Sequence, residues 1–332
     1  MSDCQLLLSG FADETSQSKA VAEQFAVMSA LGLKYLTLRF VDAGNGIKNV
    51  LDLNDQEVGF IQSELERYDL KVSSLGSPLG KVKLFDFEDE SSNSYFEFKA
   101  YLDNQVETAC RLAKAFDTKL IRGFSFYHPR GEDPGQYTSQ ASEKLAEITR
   151  ICDSHGLTFG LEVEANLVGQ NAQTLMQIHQ QVASDAMVLI FDGANLVTQG
   201  YSKEEIIDQF KAMLPALGWI HIKDYRLDST AEKKGYVDEE ALSKFVPAGD
   251  GDSGYLEILK ILATSYSEIQ NRLAGRQITG LFADLEPHLR KGGQFGGFSG
   301  ADGFGIAARS FVQLCDQAEV QCRLTTMDSM KT

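Results

Sequence analysis

The chain has 332 residues, 43% hydrophobic and 23% charged, with a formal net charge of −16. Such a length and apolar content supply a large core, while the acidic surplus, with no Lys/Arg-rich run to offset it, excludes a nucleic-acid backbone as partner. No stretch of about 20 apolar residues is present to span a membrane, and Met1-Ser-Asp-Cys-Gln5 has no basic stretch ahead of an apolar one, so a cytoplasmic location is expected.

Short β-favouring apolar runs alternate with longer segments of helical periodicity, and they do so eight times. The first run, 6–8, precedes a helix expected over 17–31, where Val21, Phe25, Met28 and Gly32 share a face and Thr15 or Ser16 is the expected N-cap. Strands at 35–40, 72–75 and 120–124 precede helices near 54–68, 93–115 and 138–155. Strands at 158–163, 188–191, 219–222 and 280–285 precede helices near 172–183, 203–214, 254–273 and 302–317. Strands separated by helices imply right-handed crossovers and a parallel sheet, and eight units match the count that closes a (β/α)8 TIM barrel. A doubly wound open sheet is the structural alternative, but no G-x-G-x-x-G follows the first strand to support its dinucleotide-binding form.

The whole chain, 1–332, reads as one barrel domain. Two connections exceed ordinary loops, 224–252 after the seventh strand and 289–301 after the eighth. Both leave strand C-termini, the face on which barrels build their sites. The five cysteines, Cys4, Cys110, Cys152, Cys315 and Cys322, are scattered and lack any C-x-x-C spacing; buried, reduced and chemically silent thiols are expected.

The late strands end in a chemical pattern. Glu162 in Leu-Glu-Val-Glu, Asp192 in Ile-Phe-Asp-Gly, His221 in Ile-His-Ile-Lys-Asp and Glu286 in Leu-Glu-Pro-His occupy the ends of strands five to eight. Neighbouring strand ends in a parallel barrel stand about 5 Å apart, so these side chains can converge on one point. Singly, each acid serves equally as a helix cap or solvated charge, and the His as an ordinary core residue. Together, three carboxylates and an imidazole suit one divalent metal ion, Mn²⁺, Mg²⁺ or Co²⁺, better than a thiolate-type zinc site.

In its order of motifs the chain resembles the sugar phosphate isomerase/epimerase family of xylose isomerase-like barrels. The resemblance rests on Gly10-Phe-Ala-Asp-Glu14, Leu161-Glu-Val-Glu164, Phe191-Asp-Gly-Ala-Asn195, His221-Ile-Lys-Asp224, Val246-Pro-Ala-Gly-Asp-Gly251 and Leu285-Glu-Pro-His288. It implies a metal held by Glu162, Asp192, His221 and Glu286, with Glu162 and Glu286 also exchanging the substrate proton. Glu164 is the alternative ligand on the same strand face, and the resemblance favours Glu162. Ketose 3-epimerases of this superfamily carry a His where this chain has Asn195, which can hydrogen-bond a hydroxyl but cannot exchange a proton near neutral pH.

The expected activity is therefore isomerisation or epimerisation of a small carbohydrate through an enediolate. Its alternatives are a dehydratase acting on an inosose or dehydroshikimate, a phosphodiester-cleaving barrel disfavoured by the charge and only five histidines, and a non-catalytic sugar-binding barrel. Asn195, Lys223, His288, His128 and Glu14 are further candidates for contact with substrate, each balanced by an ordinary ion pair, cap or loop bond. Arg130 and Arg39 are weighed in the same way for an anionic group. The glycine-rich run 291–300 is expected to cover substrate, with Phe295 and Phe298 excluding water. The sequence leaves homo-oligomerisation open.

Overall fold

The computed structural model describes residues 4–89, 91–227, 236–292 and 297–324. Eight parallel strands follow one another: β1 (Gln5–Gly10), β2 (Tyr35–Leu38), β3 (Lys71–Leu79), β4 (Leu120–Gly123), β5 (Thr158–Glu162), β6 (Met187–Asp192), β7 (Leu217–Ile222) and β8 (Leu281–Leu285). Helices fill the crossovers: α1 (Val21–Ala30), α2 (Asp55–Arg67), α3 (98–115), α4 (Thr138–Ser154), α5 (Ala172–Val182), α6 (Lys203–Met213), α7 (Tyr255–Gly275) and α8 (Gly300–Gln317).

Chain order is kept around the curled sheet, β2-β3-β4-β5-β6-β7-β8-β1, and the two end strands meet at a parallel bridge between Phe11 and Thr37. A doubly wound sheet would place its first strand in the interior of the order; here β1 pairs with β8, as a barrel requires. A last strand, β9 (Gln321–Arg323), lies along the other edge of β1, pairing with Gln5, Leu6 and Leu7. Among the described residues no helix is long and apolar enough to cross a membrane.

The barrel interior is filled in layers. Trp219 of β7 is fully buried, and its indole enters the space left by Gly160 on β5, where a Cβ would collide with the ring. Truncating an indole in such a setting costs about 3–5 kcal/mol. Above this apolar layer sits a polar one. Thr37 donates to Asp284 Oδ2 at 2.8 Å, and Ser9 and Ser73 share a 2.5 Å hydrogen bond across the barrel. Ion-pairing side chains begin in the next layer, at the strand C-termini.

Three local expectations need correction. Neither Thr15 nor Ser16 caps α1, which begins at Val21 with Ala20 as its N-cap. Thr15 Oγ1 donates to the Ala12 carbonyl at 2.7 Å, while Ser16 and Ser18 donate to Glu23 in the first helical turn at 2.5 and 2.6 Å, so the hydroxyls are already used locally. Strand two stops at Leu38, because Phe40–Asp42 leaves the sheet to form an antiparallel hairpin with Ile47–Asn49. The third strand runs longer than its apolar core, continuing through Ser77 and Pro78 to Leu79.

Candidate functional site

Glu162 and Asp192 are the last residues of β5 and β6, His221 is the penultimate residue of β7, and Glu286 directly follows β8. Inward alternation along adjacent strands brings them together, with Asp192 in register with His221. One ligand atom from each of the four lies within 4.8 Å of all the others, and all four residues are buried. His221 Nδ1 points to the centre, 3.0 Å from Glu162 Oε1, 3.6 Å from Glu286 Oε2 and 4.0 Å from Asp192 Oδ2.

Asp192 serves two purposes at once. Its Oδ1 accepts from the Asn195 amide at 3.0 Å, capping the short helix Gly193–Val197. Its Oδ2 is buried without a hydrogen bond and faces the cluster, with Lys223 Nζ 2.9 Å away in ion-pair contact. The capping role and an inward-facing acceptor thus coexist on one carboxylate.

Buried carboxylates this close require compensating charge. Burial raises the Glu162 carboxyl, but His221 and Arg122 outweigh it and hold the group down at about 2. Burial likewise works against ionised Glu286, and Lys223 and Arg39 bring it well below the usual carboxylate range. Asp192 stays raised, because burial exceeds the help it receives from Lys223. Burial lowers His221, yet neighbouring Glu162 lifts it above its ordinary value. Acceptor-only oxygens, an inward imidazole nitrogen and an unsatisfied Asp192 oxygen in a buried position are a donor set that fits one divalent cation.

A second group, Glu14, Glu286 and His288, shares Glu286 with the first. Its polar atoms are already engaged. Glu14 accepts from the His288 amide at 2.9 Å, His288 Nδ1 at 2.6 Å and Ser299 Oγ at 2.6 Å. Arg39 stands over it, bound to Asp13 at 3.0–3.2 Å and to Glu286 at 2.5 Å, so a guanidinium occupies the place a cation would take. His288 adopts a left-handed backbone, φ +51°, and that strain is held by the two bonds to Glu14.

Above the cluster opens a cavity of about 220 Å³, and Arg39, Lys81, Arg122, Glu164, Asn195, Lys223, Glu239, Glu286 and His288 contribute its polar lining. Asn195 Nδ2 reaches Glu162 Oε1 at 3.4 Å and the Val163 carbonyl at 3.0 Å. A larger cavity, about 620 Å³, lies at the N-terminal ends of the strands beside Tyr35, Val72, Leu120 and Phe282, and holds none of these residues. Chemistry, not volume, marks the mouth as the candidate site.

The structure brings Glu162, Asp192, His221, Glu286, Asn195, Lys223, His288 and Glu14 into one connected constellation. His128 stands apart from the mouth cavity, its Nδ1 3.0 Å from the Pro129 carbonyl and its ring stacked on Tyr137. Arg130 stacks 3.9 Å over the Tyr236 ring. Glu164 leaves the four-residue cluster to pair with Lys81 at 3.3 Å. Of the two long connections, residues 228–235 and 293–296, including Phe295, lie outside the described residues. Phe298 bridges back to Lys291.

Sequence reasoning passed over Arg122 and Lys81. A signal for Arg122 was present, since an arginine inside the apolar run Leu120-Ile-Arg-Gly123 shares the inward alternation of its strand. The Pro-Ala-Gly-Asp-Gly motif is explained by Asp224, whose carboxylate accepts from the amides of Gly249, Gly251 and Ser253 at 2.9–3.1 Å.

The family model described as "Xylose isomerase-like TIM barrel" matches residues 25–269. The chain belongs to that family. This xylose isomerase-like barrel also matches solved structures along almost its whole length. A barrel of the same description from Mycobacterium smegmatis in complex with magnesium is 17% identical, with a TM-score of 0.62 over 95% of this chain and 97% of the other. The probable 3-DHS dehydratase AsbF of Bacillus anthracis is 16% identical, TM-score 0.58, over 93% and 98% of the two chains. D-psicose 3-epimerase of Clostridium cellulolyticum H10, solved with D-tagatose, is 13% identical, TM-score 0.56, over 96% and 100%. At these identities the likeness is one of fold. No curated protein sequence matches the chain.

Proposed function

We propose that the protein, acting as one domain over residues 1–332 in the cytoplasm, is a divalent-metal-dependent isomerase or epimerase of a small sugar or sugar phosphate. The observation that carries this reading is the convergence of Glu162, Asp192, His221 and Glu286 beneath a polar cavity of monosaccharide scale. These four residues would hold one ion, Mn²⁺, Mg²⁺ or Co²⁺. When bound, such an ion supplies an electrophile for the substrate carbonyl oxygen.

The chain's own groups supply the rest. Glu286 lines the cavity, while Glu162 touches the lining residues Arg122 and Asn195 from below. One carboxylate takes the proton from the carbon beside the carbonyl, an enediolate forms, and the other returns a proton. Return to the opposite face of the same carbon epimerises the substrate; return to the neighbouring carbon isomerises it. Asn195, Lys223 and His288 line the same space and are placed to hydrogen-bond hydroxyls.

Asn195 supports a second reading. It stands where 3-epimerases carry a His, and a dehydratase begins with the same proton abstraction before expelling a neighbouring hydroxyl. The test is metal analysis of the purified chain, followed by deuterium exchange from heavy water into ketoses, inososes, their phosphates and the corresponding uronates with Mn²⁺ restored. Metal-dependent exchange with an isomeric product is expected; an eliminated product assigns the dehydratase. A stoichiometric metal with no exchange in any of these compounds overturns the isomerase reading in favour of a binding barrel.

A further inference from the structure

We propose that the substrate of this reaction carries a carboxylate, received by Arg122 with Lys81 beside it. The inference rests on the isomerase reading and adds a substrate class to it. The four lysine and arginine side chains that line the cavity are unequally paired. Arg39 makes hydrogen bonds at 2.5–3.2 Å to Asp13 and Glu286, and Lys223 lies 2.9 Å from Asp192 and 3.2 Å from Glu286. Both are closely paired.

Arg122 and Lys81 are held more loosely. Among the described residues the only hydrogen bond of the Arg122 side chain is Nη1 to Glu162 at 3.3 Å, with Glu286 more distant at 3.8 Å, and its buried Nε has no partner among them. Lys81 has Glu164 at 3.3 Å and Glu239 at 4.0 Å. Arg122 and Lys81 both line the cavity, and both pack on the Phe124 ring, with charge centres 4.8 and 4.7 Å from its centroid, so a ligand in the cavity meets both.

The carboxylates facing Arg122 are Glu162, through Oε2, and Glu286, through Oε1, two of the residues a divalent ion would also draw on. Their negative charge would be shared with that ion, and a buried guanidinium short of a counter-charge is costly. A neutral polyol leaves that deficit in place. A substrate carboxylate removes it, offering two oxygens to a planar donor edge. The cavity, about 220 Å³, is small against the roughly 300–1,000 Å³ usual for ligand sites. An acid that replaces a terminal hydroxymethyl adds little bulk, whereas a phosphoryl group extends the ligand.

The test is calorimetric titration of the Mn²⁺-loaded full chain with matched pairs, D-fructose against D-fructuronate and D-glucose against D-glucuronate, with D-fructose 6-phosphate alongside. Each acid is expected to bind at least about tenfold tighter than its neutral partner, and Arg122→Met to reduce that preference to about threefold or less. Lys81→Met, which touches none of the four proposed ligands, is expected to weaken the preference while Mn²⁺ affinity, read by electron paramagnetic resonance, stays within about threefold of the parent. Equal affinity within the pairs, tightest binding of the phosphate, or no binding of either acid overturns the carboxylate assignment. If D-fructose still exchanges deuterium in those cases, the isomerase reading survives; a chain that cannot hold Mn²⁺ loses both.

Discussion

Two acidic clusters meet at Glu286, and they differ in how completely their atoms are satisfied. The group of Glu162, Asp192, His221 and Glu286 leaves Asp192 Oδ2, which faces the cluster, buried without a hydrogen bond. The group of Glu14, Glu286 and His288 has three donors on Glu14 and a guanidinium against Glu286. Acidic density alone therefore does not distinguish a cation site from a structural knot. What distinguishes them is whether a buried carboxylate oxygen is left without a hydrogen bond, as at Asp192, or has all its donors in place, as at Glu14.

Substitutions on the two sides should separate them. Glu286→Gln strikes both clusters and should have the largest effect, lowering metal-dependent deuterium exchange by about 10³-fold while circular dichroism shows a folded chain; full activity in this variant and in Glu162→Gln would remove the proton-transfer pair. His221→Ala should weaken Mn²⁺ binding by about 100-fold, and unchanged affinity by calorimetry would break the ligand set. Glu14→Gln should do the reverse, costing about 2 kcal/mol in denaturant unfolding yet shifting Mn²⁺ affinity by no more than about threefold. A large loss of metal affinity there would mean that the second cluster binds metal as well.

The smallest effect concerns Glu164, which lies between the clusters and the solvent-facing loops. Burial pushes its carboxyl up to about 8 in spite of Lys81. The folded chain then holds a proton that the unfolded chain releases near its ordinary carboxylate value. This contribution to stability is complete below that value and is lost as pH rises through about 8. Melting curves should show Glu164→Gln becoming more stable than the parent by about 2–4 °C toward the alkaline end of that window. Parallel melting profiles for the two proteins would show that Glu164 is ionised throughout.

The barrel was legible because burial on both faces gives parallel strands continuous apolar runs, and each run is followed by helical periodicity. The four clustered residues were legible because a polar side chain at the end of such a run interrupts it. Arg122 was harder to see, since it lies within a strand and its environment depends on contributions from β5 and β8. Glu14 was legible as a candidate for contact with substrate but its partners were not; only the fold brings His288 and Ser299, more than 270 residues away, against it. Helix caps were misjudged where serine hydroxyls found a carboxylate inside the helix instead of the amides at its start.

The pairing of β9 with β1 has a consequence for how the chain is made. Gln321 donates its amide to the Cys4 carbonyl, so residues near the start wait for those more than 300 positions later. On a ribosome β1 emerges long before β9, so its outer edge stays uncovered until more than 300 further residues have been synthesised. That edge is a template for unwanted strand pairing during the interval, and the nascent chain is most in need of a chaperone then.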